Sequence, residues 1–217
     1  MKNAIKTIKK SVVMVLTNNG KGTGFFVNSN GSIFTCAHNI INPQTNNFAE
    51  NIRIIYENTI YDVLPKDITI DQTYDFAIIR INKTENNFPF LKIKDEFGSI
   101  EEGENILFSG FPLNIDYIIT HQGIISSKQT TDINRTREIN AYQIDRQIIH
   151  GFSGGPLCLE SSGECIGIIV AEVPPEQRET LINKIRVLVP NSVSMGHAVS
   201  IEYANKKLKE LTNGIKS

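Results

Sequence analysis

The chain has 217 residues and a mass of 24.3 kDa, room for one large domain or two small ones that share an interface. Apolar residues make up 40% and charged residues 21%, which excludes a disordered or fibrous chain. With 22 Lys and Arg against 23 Asp and Glu, the net charge of -1 gives no electrostatic case for nucleic acid or an anionic membrane as partner, and no apolar run approaches the ~20 residues that span a bilayer.

The N-terminal stretch MKNAIKTIKK reads as a polar lead-in to the first strand. Lysines precede an apolar run there, as in a secretion signal, but Ser11 to Leu16 is too short for an apolar core and no small-x-small cleavage site follows. The expected compartment is therefore the cytoplasm. A first set of short strands is predicted at Ser11 to Leu16, Thr23 to Asn28, Ser32 to Ala37, Ile52 to Tyr56, Thr59 to Val63 and Phe76 to Ile81. A second set is predicted at Asn105 to Ser109, Ile118 to Ser126, Ala141 to Ile144, Gly155 to Leu159, Cys165 to Ala171 and Gly196 to Ile201. Asn- and Gly-rich punctuation separates them, so the expectation is an all-β fold of two barrels. The whole chain, 1–217, is one domain in this reading, with barrels at about 10–95 and about 103–201. Ile201, Ala204, Leu208, Leu211 and Ile215 fall at helical spacing, which predicts a C-terminal helix over Glu202 to Asn213. Pro175 to Arg186 is a second helical candidate.

Cys36, Cys158 and Cys165 are odd in number and lack a CxxC, so free thiols are expected. The histidines His38, His121, His150 and His197 are scattered, and none pairs with a cysteine at zinc-ligand spacing. No metal and no cofactor is expected.

The chemistry-bearing stretch is Gly151-Phe152-Ser153-Gly154-Gly155-Pro156-Leu157. A serine among glycines can sit on a tight turn whose backbone N–H groups gather around an oxyanion. Such a serine needs a base, and His38 ends the strand that carries Thr35-Cys36-Ala37. The base needs an orienting carboxylate. Asp75 abuts the apolar run Phe76 to Ile81, while Asp71, four residues earlier, is the rival in a more polar setting. Asp75 is preferred.

These blocks in this order (GTGFF, TCAH, DFAIIRI, GIIS and GFSGGPL) resemble the chymotrypsin-fold serine peptidases, and more closely the HtrA-type branch. The likeness runs from about Val12 to Leu211. It implies two six-stranded antiparallel barrels and a serine endopeptidase, with His38 as general base, Asp75 as orienting acid and Ser153 as nucleophile. It also implies an oxyanion hole from the N–H groups of Gly151 and Ser153. The position six before the serine, Gln147, would line the primary substrate pocket with Ile169, Val170, Ala171 and Gly196, which implies a neutral side chain on the protein or peptide substrate.

The sequence departs from that family in several places. No PDZ domain or export signal is expected. Phe152 stands where secreted relatives have an Asp that pairs with a freshly cut N-terminus, so zymogen cleavage is not the expected control. The polar stretch Ser127 to Asn140 and the long connection Glu172 to Ser194 are the expected control elements. Together these features imply low resting activity that rises when a regulatory partner or substrate orders the two loops. The alternative reading is a regulatory module on the same fold with a silent triad, or an esterase.

Overall fold

The structure, a computed structural model, describes residues 2–42, 44–81, 87–131, 139–170, 179–182, 185–188 and 196–214. In chain order these form α1 (Lys2–Ser11), β1 (Val12–Thr17), β2 (Gly20–Phe26), β3 (Ser32–Cys36), β4 (Arg53–Tyr56), β5 (Thr59–Asp62), β6 (Ile68–Asp71), β7 (Phe76–Arg80), β8 (Asn105–Gly110), β9 (Ile119–Thr131), β10 (Ile139–Ile144), β11 (Pro156–Leu159), β12 (Cys165–Val170), β13 (Glu179–Ile182), β14 (Ile185–Leu188), β15 (Gly196–Ser200) and α2 (Glu202–Asn213).

Two antiparallel sheets organise the chain. The first has seven strands in the order β5-β4-β1-β2-β3-β7-β6 and curves into a half-barrel; the second closes on itself as β10-β15-β12-β11-β8-β9. Closure removes the exposed edges that an open sheet must protect. Each sheet encloses its own core. Phe26, Ile33 and Ile79 fill the first, and Phe108, Tyr142 and Ile169 fill the second. A third cluster lies between the sheets, where Phe25, Phe34 and Phe76 of the first meet Leu107, Cys158 and Ile168 of the second.

Both helices pack on that inter-sheet cluster. α2 buries Ala204 with Leu208 and Leu211 against it, at the spacing the sequence predicts. α1 was not foreseen. Its sequence is lysine-rich, yet Ala4, Ile5 and Ile8 recur on one face, and Ile8 is fully buried. One side chain of that size contributes roughly 1.5–3 kcal/mol on burial, enough to dock a short helix whose other faces are solvated lysines.

Three further expectations change. The predicted helix over Pro175 to Arg186 is absent where residues are described; Glu179–Ile182 and Ile185–Leu188 instead pair antiparallel as β13 and β14. Their ETLI and IRVL runs are rich in residues that favour strands. β6, Ile-Thr-Ile-Asp, pairs with β7 and follows a period of two that sequence reading passed over. Part of the expected loop Ser127 to Asn140 is strand, since β9 runs on to Thr131 and β10 begins at Ile139. A polar two-sided hairpin gives no hydrophobic alternation to read; Gln129 instead donates across it to the Gln143 side chain at 2.8 Å. Residues 132–138, most of Glu172 to Ser194, and Ala171 lie outside the described residues. Among the described residues, no helix is long and apolar enough to cross a membrane.

Asp95 clamps α2 by accepting from Asn205 Nδ2 at 2.6 Å and Lys209 Nζ at 2.9 Å. The Lys209 bond, outweighing desolvation, holds the Asp95 carboxyl below its ordinary value of 3.8. A carboxyl depressed in the folded state stabilises above its unfolded pKa, and that contribution fades as pH falls through the folded value. Melting curves of wild type and Asp95→Asn should therefore differ at neutral pH, and the gap should close as the pH falls below the ordinary aspartate range. An unchanged gap in acid would mean that the clamp does not act through its charge.

Candidate active site

β3 and β7 run antiparallel with Cys36 opposite Phe76. The residues just beyond that pair are therefore neighbours, and Ala37 N–H donates to the Asp75 carbonyl at 3.2 Å. His38 sits in a 3-10 turn, Ala37–Asn39, that ends β3. Asp75 has a φ of 50°, a left-handed conformation that aspartate tolerates better than most residues. Its Oδ2 accepts from His38 Nδ1 at 2.7 Å and its Oδ1 accepts from His38 N–H at 3.0 Å. An ionised carboxylate only accepts, so Nδ1 carries the ring proton of the neutral imidazole and Nε2 keeps a lone pair. Asp71 is engaged elsewhere: its Oδ1 caps the turn by accepting from the N–H groups of Thr73 at 2.9 Å and Tyr74 at 3.3 Å. The structure thus brings Asp75, and not Asp71, to His38.

Ser153 lies on the connection between β10 and β11. A buried polar network from the first sheet holds this connection. Thr23 N–H donates to the Ser153 carbonyl at 2.9 Å, and Asn39 Nδ2 donates to the same oxygen at 2.8 Å. Thr23 Oγ1 donates to the Gly151 carbonyl at 2.6 Å and accepts from Phe111 N–H at 3.0 Å. Thr35 Oγ1 completes the set by donating to the Thr23 carbonyl at 2.7 Å. Gly154, at φ 84°, packs so closely here that a Cβ would lie 2.1 Å from the Thr23 carbonyl oxygen. Thr23, Thr35 and Asn39 were missed as functional residues. Thr35 and Asn39 left a faint signal, a hydroxyl within the apolar strand β3 and an amide directly after His38, whereas Thr23, set between glycines, left none.

Phe152 N–H donates to the Ile149 carbonyl at 3.3 Å and closes a four-residue turn. Gly151, third in that turn, has a φ of 99°, whereas His150 does not have a positive φ, which defines a type II turn. The central peptide is trans, and its His150 carbonyl accepts from Leu113 N–H at 3.1 Å. In a planar trans peptide the Gly151 N–H points the opposite way. Among the described residues no hydrogen bond engages that N–H. The Phe152 side chain is fully buried in the second barrel, edge-on to Phe108 at 5.6 Å. His38, Gly151 and Ser153 line one cleft of about 210 Å³.

The expected pocket residues divide. Gln147 is exposed, Val170 is half-buried, and Ala171 lies outside the described residues. The Ile169 side chain belongs to the second barrel's core and offers only its backbone, which accepts from Gly154 N–H and donates to the Gly155 carbonyl, both at 2.8 Å. Gly196 is buried under Ile148; a Cβ there would lie 2.5 Å from Ile148 Cδ1. His121 packs on the Phe152 ring at 5.3 Å, and burial, with Arg146 nearby, lowers its pKa. His197 is half-buried in β15, opposite Gln143 and Val170.

Cys36 Sγ lies within 4.8 Å of ligand-type atoms of His38 and Asp75, which makes this trio a formal metal set. Its chemistry fits poorly. Complete burial, reinforced by the Asp75 charge, raises the Cys36 pKa well above its ordinary value, so the thiol stays protonated. It donates to the Ile169 carbonyl at 3.3 Å, while His38 and Asp75 already satisfy each other.

Residues 22–168 match the trypsin-like peptidase domain, and the chain belongs to that family. It is 36% identical over 155 residues to the mitochondrial serine protease HTRA2 of Drosophila willistoni, a match covering 68% of this chain and 32% of that protein. The Drosophila virilis HTRA2 is also 36% identical, over 154 residues and 33% of its length. The matches thus span about a third of these relatives. The fold is similar to an inactive serine-to-alanine mutant of Rv3671c from M. tuberculosis H37Rv, with a TM-score of 0.70 at 17% identity, covering 97% of this chain and 90% of that one.

Thr23→Val removes the hydroxyl that serves Gly151 and Phe111 while nearly keeping the side chain's shape. It leaves two buried backbone groups unpaired, so it should destabilise by about 2–4 kcal/mol. Chemical denaturation measures this. A loss under about 0.5 kcal/mol would show that the network does not hold the loop.

Proposed function

We propose that this chain is a serine endopeptidase that cleaves protein or peptide substrates through an acyl-enzyme on Ser153. The Asp75–His38 hydrogen bond, its imidazole lining the same cleft as Ser153, carries the reading. The Ser153 Oγ–H proton passes to His38 Nε2 as Oγ bonds to the substrate carbonyl carbon. The oxyanion that forms is met by the N–H groups of Gly151 and Ser153. Collapse breaks the C–N bond, and the imidazolium gives its proton to the leaving amine. Water, deprotonated by His38, then cleaves the ester. Asp75 stays ionised throughout, holding the ring and stabilising its charged form.

The turn geometry supports an oxyanion hole assembled at rest. Two contacts substitute for the ion pair that Phe152 cannot make: the burial of its ring, and the Leu113 N–H on the His150 carbonyl. On this reading the peptide is set in the resting chain, without a partner or substrate ordering Ser127 to Asn140 and Glu172 to Ser194. Ile148 packs on Gly196, and no acid stands at Gln147. A small neutral side chain before the cleaved bond fits best. The buried thiols Cys36, Cys158 and Cys165 fit a reducing compartment such as the cytoplasm.

Internally quenched peptides with Ala or Val before the scissile bond should be cleaved by the wild type. Ser153→Ala and His38→Ala should each reduce turnover by about 10⁴-fold or more, and Asp75→Asn by a similar factor, because the three act as a unit. All three variants should melt as folded proteins. Near-native turnover by His38→Ala would overturn the assignment.

A further inference from the structure

A second cavity, of about 470 Å³, opens between α1, β1, β4 and the segment 111–118. Its size is within the roughly 300–1,000 Å³ usual for small-molecule sites. Val12, Met14, Ile55, Phe111 and Ile118 give it an apolar floor. Lys6, Lys9 and Lys10 line it from α1. At i, i+3 and i+4 their side chains share one helix face, so three ammonium groups repel one another beside apolar surface. The carbonyl end of the helix favours cations at Lys9 and Lys10, its last turn, but not at Lys6, a turn earlier.

The two acids at the cavity are already engaged. Glu57 lies beside the Tyr56 hydroxyl, whose pKa burial and the Glu57 charge raise, and Asp116 accepts from Lys21 Nζ at 3.1 Å. Among the described residues, no ion pair engages Lys6, Lys9 or Lys10. An occupant that matches this lining carries an anionic head and an aliphatic body.

We propose that this cavity binds a single-chain amphiphilic carboxylate, its chain on the floor made by β1, β4 and segment 111–118 and its head among the α1 lysines. The site is separate from Ser153 and does not depend on the proposed peptidase activity.

The test is calorimetric titration with sodium decanoate below its micelle concentration, with decanol as the uncharged comparator. The wild type should bind decanoate at one saturable site, more weakly as salt is added. Lys6→Gln/Lys9→Gln/Lys10→Gln should weaken binding at least about tenfold, and decanol should bind the wild type as weakly as decanoate binds the variant. Tyr117→Glu, at a rim position 68% exposed, should weaken binding similarly without touching the core. Ser153→Ala should bind as the wild type does. The absence of saturable binding would overturn the proposal, as would affinity unchanged in both charge variants. Loss of binding in Ser153→Ala would place the ligand in the active cleft instead.

Discussion

Thr23 is the point on which the two sheets meet. It is fully buried in β2, and its N–H and hydroxyl both reach into the connection that carries Ser153. A buried backbone carbonyl left unpaired costs about 1–3 kcal/mol, and this one residue donates to the Gly151 carbonyl and, with Asn39, to that of Ser153. The consequence is geometric as well as energetic. His38 belongs to the first sheet and Ser153 to the second, so their relative position is set by how the sheets are joined. Apolar packing between Phe25, Phe34, Leu107 and Ile168 supplies adhesion but little register. The hydrogen bonds through Thr23, Thr35 and Asn39 are directional, and they fix register at the residues where chemistry requires it.

Phe152 supplies a second constraint of a different kind. An ion pair in this position forms or breaks with the state of a chain end. A phenyl ring wedged between Phe108 and His121 is held by burial alone and has no such switch. The adjoining peptide is pinned by Leu113, so the turn has an anchor on each side of Gly151. Leu113 belongs to the same segment, 111–118, that walls the lysine-lined cavity.

Much of this was legible in the sequence because its signals are local. The runs around His38, Asp75 and Ser153 each combine a polar residue with an adjoining apolar strand, and β3 and β7 bring two of them together through simple antiparallel pairing. α2 shows its stripe plainly. α1 was obscured because a short helix needs only three apolar residues to dock, and its lysines dominated the composition. The role of Thr23 was illegible for another reason: its partners, Gly151 and Phe111, lie 128 and 88 positions away, and no local pattern encodes them. The Ile169 side chain was misassigned to the pocket because CIGIIV is buried almost throughout, and a continuous apolar run does not say which face looks inward.

The central claim is that Ser153 is a nucleophile activated by His38 and Asp75. Its most direct measurement is reaction of the purified wild-type chain with a fluorophosphonate, followed by mapping of the adduct by tandem mass spectrometry. The account predicts one stoichiometric adduct on Ser153, with labelling strongly slowed in His38→Ala. No adduct, an adduct on another serine, or labelling that ignores the loss of His38 would contradict it.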